Sequence, residues 1–270
     1  MTHPQYVVAT VSFLNAKPLV EGLDNEPGVS LISRVPSKLL QALTSGIAHV
    51  ALCPIIDFQR VEEELCVLPV GAIASDGPTL TVRVFSQVPL DEIETVHVDG
   101  DSHTSVALLQ VICAERFGLH PVLEPLTPGR KATNGDTPQS LLLIGDKVVR
   151  DEPSRDLYPH QLDLGQAWKE LSGLPFVFAV WMARVGEDLG LLPQLLDQQR
   201  SINASRIGEI VRRYAGPAGW PTALAARYLG EILSYEVGDR ELRSIELFWS
   251  RCRAMGLVDR VRPLLTYIPR

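Results

Sequence analysis

Cysteine is scarce in this sequence: Cys53, Cys66, Cys113 and Cys252 are spread through 270 residues. No Cys-x-x-Cys or Cys/His pairing is present, which excludes the usual zinc frameworks and a disulfide scaffold. Buried free thiols in a reducing compartment are the expectation. Basic clusters are missing as well. The 25 Lys and Arg stand against 32 Asp and Glu, and the formal charge of −7 argues against a nucleic-acid surface. No run of about 18 apolar residues exists to span a bilayer. Met1-Thr2-His3-Pro4-Gln5 offers no basic region, apolar stretch or cleavage site of a signal peptide, so a cytoplasmic protein is expected. No metal or cofactor is expected, nor a nucleic-acid or membrane partner; a monomer or homodimer acting on a small molecule is.

What is present is an ordinary globular composition, 46% hydrophobic and 21% charged, in a chain long enough for about two domains. Residues 6–11 are apolar and β-branched, as a buried strand requires. Ser12 and Asn15 follow, and Pro18 fits the first turn of a helix, where its missing N–H costs nothing. Ligands of open α/β sheets sit beyond the carboxyl ends of the strands. Asn15 therefore either caps the helix or faces a ligand.

The spacing predicts a second strand over 29–35, a helix opened by Pro36-Ser37 and ended at Gly46, and a third strand over 47–53. Two β-α-β passages in about fifty residues imply a parallel sheet with right-handed crossovers. Ser75-Asp76-Gly77 then reads as a turn before an alternating strand over 79–85. A fresh β-α unit starts near Ser86. Its strand, 95–98, leads through a glycine-containing loop into Ser102-His103-Thr104-Ser105 and an amphipathic helix. Hydroxyls at a helix N-terminus, where free N–H groups converge, make an anion site, and three in four residues exceed what capping needs. Residues 126–139 read as a loop, 140–144 as a short buried strand, 163–171 as a brief helix and 176–181 as an apolar strand. The remainder is helical.

The order implies an α/β chain of two lobes. Residues 1–85 and 184–270 are expected to form one, with 86–183 inserted as the other, each lobe a mainly parallel sheet flanked by helices. The hinge between them leaves a cleft, a preferred site for small ligands.

Several stretches together match one pattern: Ser12-Phe13-Leu14-Asn15-Ala16-Lys17-Pro18-Leu19, Ile73-Ala74-Ser75-Asp76-Gly77-Pro78, Asp101-Ser102-His103-Thr104-Ser105-Val106-Ala107-Leu108-Leu109, Ile144-Gly145-Asp146 and Gly173-Leu174-Pro175-Phe176-Val177-Phe178-Ala179-Val180-Trp181. In order and spacing the chain resembles the chorismate dehydratases of the futalosine route to menaquinone, from residue 6 to about residue 260. The resemblance implies the two-lobed fold of type II periplasmic binding proteins. It also implies a carbon–oxygen lyase (a hydro-lyase) that removes water from chorismate to give 3-[(1-carboxyvinyl)oxy]benzoate. The C4 hydroxyl and the C3 proton leave, and the ring becomes aromatic. Two positions depart from the pattern: His49 stands where Asp is frequent before Val-Ala-Leu, and Thr81 where Ser is common.

What the resemblance implies for the site is economical. The substrate's own enolpyruvyl carboxylate would act as base, so catalysis is largely orientation. Asn15, with donors and an acceptor but no charge, and Ser75 are the expected catalytic residues. Ser12 and Thr81 would bind substrate from the first lobe, and Ser102, Thr104 and Ser105 would hold a carboxylate of the dicarboxylate from the second. Asp146 would bind, orient a neighbour or cap a helix. Lys17 and His103 read as solvated. Two rivals share the fold. A 1,4-dihydroxy-6-naphthoate synthase would carry His in place of Asn15, and a non-enzymatic solute-binding protein for small anions would need export or an anchor.

Overall fold

The computed structural model describes residues 5–100, 102–126 and 137–268. His3, Asp101 and most of the loop expected over 126–139 lie outside the described residues.

The first part of the chain alternates as the apolar periodicity demands. It runs β1 (Tyr6–Thr10), a 3-10 turn (Leu14–Ala16), α1 (Lys17–Val20), β2 (Val29–Ser33), α2 (Pro36–Thr44), β3 (Val50–Pro54), α3 (Asp57–Arg60) and the long β4 (Leu65–Ser75). Pro36 opens α2 at its first turn, and Gly46, at φ +75°, follows its C-cap in the left-handed region that glycine tolerates. His49 sits just before β3, where its Nδ1 accepts the Val7 N–H at 2.9 Å and its ring packs edge-on against Tyr6. The departure from the family pattern there concerns packing at a strand start.

The chain then crosses into a second lobe with β5 (Val82–Ser86), β6 (Thr95–Val98), α4 (His103–Ile112), β7 (Val122–Pro125), β8 (Ser140–Ile144), α5 (Lys147–Arg150), β9 (His160–Asp163) and α6 (Leu164–Ser172). It returns through β10 (Phe176–Arg184) and finishes with α7 (Leu192–Ala204), α8 (Ile207–Tyr214), α9 (Thr222–Arg227) and α10 (Asp239–Ala254). A π-helical turn (Tyr228–Ile232) extends α9.

Two five-stranded sheets result, ordered β2-β1-β3-β10-β4 and β7-β6-β8-β5-β9. The lobe boundaries differ from the expected ones. Strand β5 pairs with β8 and β9 of the second sheet, so that lobe begins before residue 86. Strand β10 pairs with β3 and β4 of the first, so the return precedes residue 184. Alternation identifies a strand but not its sheet. The sheets are also mixed rather than mainly parallel. In each, the β-α-β part is parallel, as in β1 with β2 and β3, whereas the strand arriving from the other lobe pairs antiparallel. That strand enters without a helical crossover, so the rule that makes β-α-β units parallel does not bind it.

Helix α4 is buried almost all round, from Thr104 to Ile112, because it packs against α6, α10 and β10 at the junction of the lobes. All four cysteines are free and buried. Among the described residues no helix is long and apolar enough to cross a membrane.

Candidate functional site

A cavity lies where the two lobes meet, the kind of position small-molecule sites prefer. It sits beyond the carboxyl ends of β1, β3 and β8. Those ends supply Val11, Pro54, Ile144 and Gly145 to its wall. Most of the lining is apolar, including Phe13, Leu52, Ile73 and Phe178, and none of it carries a formal charge. The polar atoms come from Asn15, Thr79, Thr81, Ser102, Thr104, Ser105 and Tyr228.

Asn15 and the Ser102–Ser105 stretch therefore face one space from opposite lobes. Asn15 belongs to the 3-10 turn after β1, and its Oδ1 is buried without a hydrogen-bond partner. An unpaired buried acceptor costs free energy unless a ligand supplies the donor. Across the cavity, Ser102 occupies the N-cap of α4 but makes no capping bond with its side chain. The first N–H groups of a helix have no partner within it, and here Ser102, Thr104 and Ser105 bring hydroxyls to the same end. Thr104 Oγ1 accepts the Ile56 N–H at 3.3 Å, which leaves its own O–H free to donate.

Thr81 and Tyr228 form the third polar element. Their hydroxyl oxygens are 2.7 Å apart and buried. Burial pushes the Tyr228 phenol far above its ordinary value, hydrogen bonds from Thr81 and Asn15 pull it back in part, and the nearby Asp146 charge adds to the rise. Tyr228 is thus a neutral hydrogen-bond donor at any physiological pH. It starts the π-helical turn, a feature often found at functional sites, and its ring stacks on Trp220.

The crossing segment that carries Thr79 and Thr81 is held by Asp163. One carboxylate accepts the N–H groups of Thr79 and Leu80 at 2.8–2.9 Å while capping α6 through Gly165 and Gln166. Leu80 is left-handed, at φ +66°. A strained non-glycine residue of this kind persists where its surroundings fix it. Gly165 is required beneath: a Cβ there would lie 2.3 Å from Thr79 Cγ2 and 2.6 Å from the Gly77 carbonyl oxygen.

Not every expected residue reaches the cavity. Ser75 is fully buried, and its hydroxyl donates to the Gly77 carbonyl at 3.2 Å, closing the turn that its sequence context also predicted. Ser12 is exposed and outside the lining, two residues past the end of β1. Asp146 is turned out of the cavity wall to accept N–H groups from Trp220 and Leu14. Lys17 lies over the Tyr214 ring, 4.8 Å from its centroid. His103 is paired rather than solvated, its Nδ1 lying 2.8 Å from Asp57 Oδ1. Sequence reasoning passed over Thr79 and Tyr228. Tyr228 looks like one more apolar-face residue of a C-terminal helix, and nothing local marks it. Among the described residues no group of three His, Cys, Asp or Glu side chains is arranged to hold a metal ion.

The family model described as menaquinone biosynthesis matches residues 6–254. A chorismate dehydratase of Thermus thermophilus is 28% identical over 239 residues, 83% of this chain and 87% of the relative. A chorismate dehydratase of Campylobacter jejuni is 25% identical over 158 residues, 54% of this chain and 68% of the relative. Among solved structures, the alkanesulfonate-binding protein of Xanthomonas axonopodis pv. citri bound to MOPS superposes with a TM-score of 0.71. It is 13% identical, and the match covers 96% of each chain. The fold is that of the periplasmic binding proteins.

Proposed function

The chain belongs to the menaquinone biosynthesis family, and from that membership we propose that it is a chorismate dehydratase, a hydro-lyase that converts chorismate to 3-[(1-carboxyvinyl)oxy]benzoate and water. One observation carries the reading: an unpaired amide acceptor on one lobe and an uncapped, hydroxyl-rich helix N-terminus on the other line the same apolar cavity.

The N-terminus of α4 suits a carboxylate. Its free N–H groups and the hydroxyls of Ser102, Thr104 and Ser105 supply donors, and the helix dipole favours negative charge there. Each charge-assisted hydrogen bond contributes roughly 1.5–3 kcal/mol, so several of them substitute for the cation that the lining lacks. On the opposite side, Asn15 Oδ1 accepts from the ring hydroxyl while the Thr81–Tyr228 pair limits where that hydroxyl can sit. The leaving group is oriented rather than ionised by the protein. The C3 proton passes to the substrate's enolpyruvyl carboxylate, the C3–H electron pair becomes the third double bond of the ring as the C4–O bond breaks, and the departing hydroxide takes that proton from the carboxyl group to leave as water. The chain's contribution is to hold that carboxylate over the proton, an orientation effect worth several kcal/mol. The mostly apolar walls exclude competing water. The four buried thiols are in keeping with work in the cytoplasm.

Incubating the purified protein with chorismate and following the products by mass spectrometry tests the proposal. Formation of the enolpyruvyl benzoate with loss of one water is expected. Intact chorismate together with a ligand-dependent rise in melting temperature would instead identify a binding protein.

A further inference from the structure

Asp146 follows Gly145, a residue of the cavity wall, and it occupies the N-cap of α5 without capping that helix through its side chain. Its carboxylate is used elsewhere. Oδ1 accepts the Trp220 indole N–H at 2.9 Å, and Oδ2 accepts the Leu14 backbone N–H at 3.4 Å. Each donor is one step from a polar atom of the cavity. Leu14 precedes Asn15 in the same 3-10 turn. Trp220 stacks on Tyr228 with ring centroids 4.6 Å apart and planes at 18°. The remaining charges that face Asp146 are Arg150, on its own helix, and Lys17, across the lobe boundary. Arg150 lies in turn along Gly219, beside Trp220. A partly buried carboxylate that does not cap its own helix and lies outside the cavity lining is costly to desolvate. Its two bonds both run to lobe 1, where the chemistry would be organised.

We propose that Asp146 is a positioning residue: from lobe 2 it fixes Asn15 through the Leu14 N–H and Tyr228 through the Trp220 ring, so that both sides of the hydroxyl-binding pole are set by one carboxylate. The kinetic consequence rests on the dehydratase reading, whereas the positioning does not. It also replaces substrate contact as the role of Asp146, since that residue is not part of the cavity lining and both its carboxylate oxygens are engaged elsewhere.

The test uses the full chain labelled with 3-fluorotyrosine, with the Tyr228 fluorine resonance assigned by its loss in Tyr228→Phe. In the ligand-free protein, Asp146→Ala shifts that resonance. With chorismate it lowers kcat about tenfold while KM stays within about threefold, the signature of lost transition-state orientation. Asp146→Asn keeps one acceptor for the indole and recovers part of kcat, with a smaller shift in the same direction. It carries the same test where the alanine variant does not fold. Trp220→Phe added to Asp146→Ala costs less than about twofold more, because the two act through one arm. An unmoved Tyr228 resonance, a rise in KM at constant kcat, or full additivity of the two substitutions overturns the inference. A wild-type protein inert towards chorismate, with the resonance still displaced in Asp146→Ala, sinks the dehydratase reading and upholds the positioning.

Discussion

His103 Nδ1 lies 2.8 Å from Asp57 Oδ1, and the two residues belong to opposite lobes. Beside them the Ile56 N–H reaches Thr104 Oγ1, so two consecutive residues tie the start of α4 to lobe 1. Asp57 is 1% exposed and its Oδ2 has no partner. His103→Ala leaves that carboxylate buried and alone. Stability is expected to fall by about 1–3 kcal/mol, the usual cost of an orphaned buried acceptor. Urea unfolding checks this, and an unchanged midpoint would show that the tie does not form in solution.

Asn15→Ala removes from the cavity the amide whose Oδ1 has no partner, without disturbing the apolar side of its turn. Turnover is expected to drop at least about tenfold at an unchanged melting temperature, as for loss of an interaction made mainly in the transition state. Wild-type turnover in this variant would remove Asn15 from the site.

Thr104→Ala is expected to act mainly on binding. It takes a hydroxyl from the end proposed to bind the carboxylate and strips Ile56 N–H of its acceptor, so KM should rise roughly three- to tenfold with a smaller change in kcat. Thr104→Ser, which keeps the hydroxyl, should restore most of the difference. Steady-state kinetics on the three proteins decides it. An unchanged KM in the alanine variant would leave Thr104 as a structural tie alone.

Asp76, in the crossing turn, is held below its ordinary 3.8 by Arg240 and Lys169. A carboxyl whose folded value is depressed contributes stability above its unfolded value and loses it as pH falls through the folded value. Asp76→Asn should therefore melt slightly below wild type at neutral pH, and the two curves should converge as the pH drops below about 3.8. The pair is largely solvent-facing, so the difference is small. A gap that persists at low pH would mean that the turn is held by something other than charge.

Much of this architecture is legible in the sequence, and most of what is not depends on partners distant along the chain. Asn15, Ser102, Thr104 and Ser105 stand out in the sequence because strand ends and helix starts are local events, where a run of β-branched residues stops and polar residues follow; Thr81 enters only through the family resemblance, and all five line the cavity. Tyr228 and Thr79 were missed because their importance is set by partners far away in sequence, Thr81 for one and Asp163 for the other. Ser75 failed differently. Its place in the motif was right, but its hydroxyl turns back onto Gly77. The lobe boundaries shifted because β5 and β10 are strands by every local criterion, and only pairing partners say which sheet claims them.

Ser75 and Phe176, the points where the chain leaves and re-enters lobe 1, are register partners on adjacent antiparallel strands. The roughly hundred residues between them hang from a doorway one strand spacing wide. A short hairpin across that opening would seal the first sheet without moving either strand. The inserted half is in this sense a cassette: exchanging it whole would change the end proposed to hold the carboxylate and take Asp146 from Leu14, while Asn15 stays in the turn that follows β1.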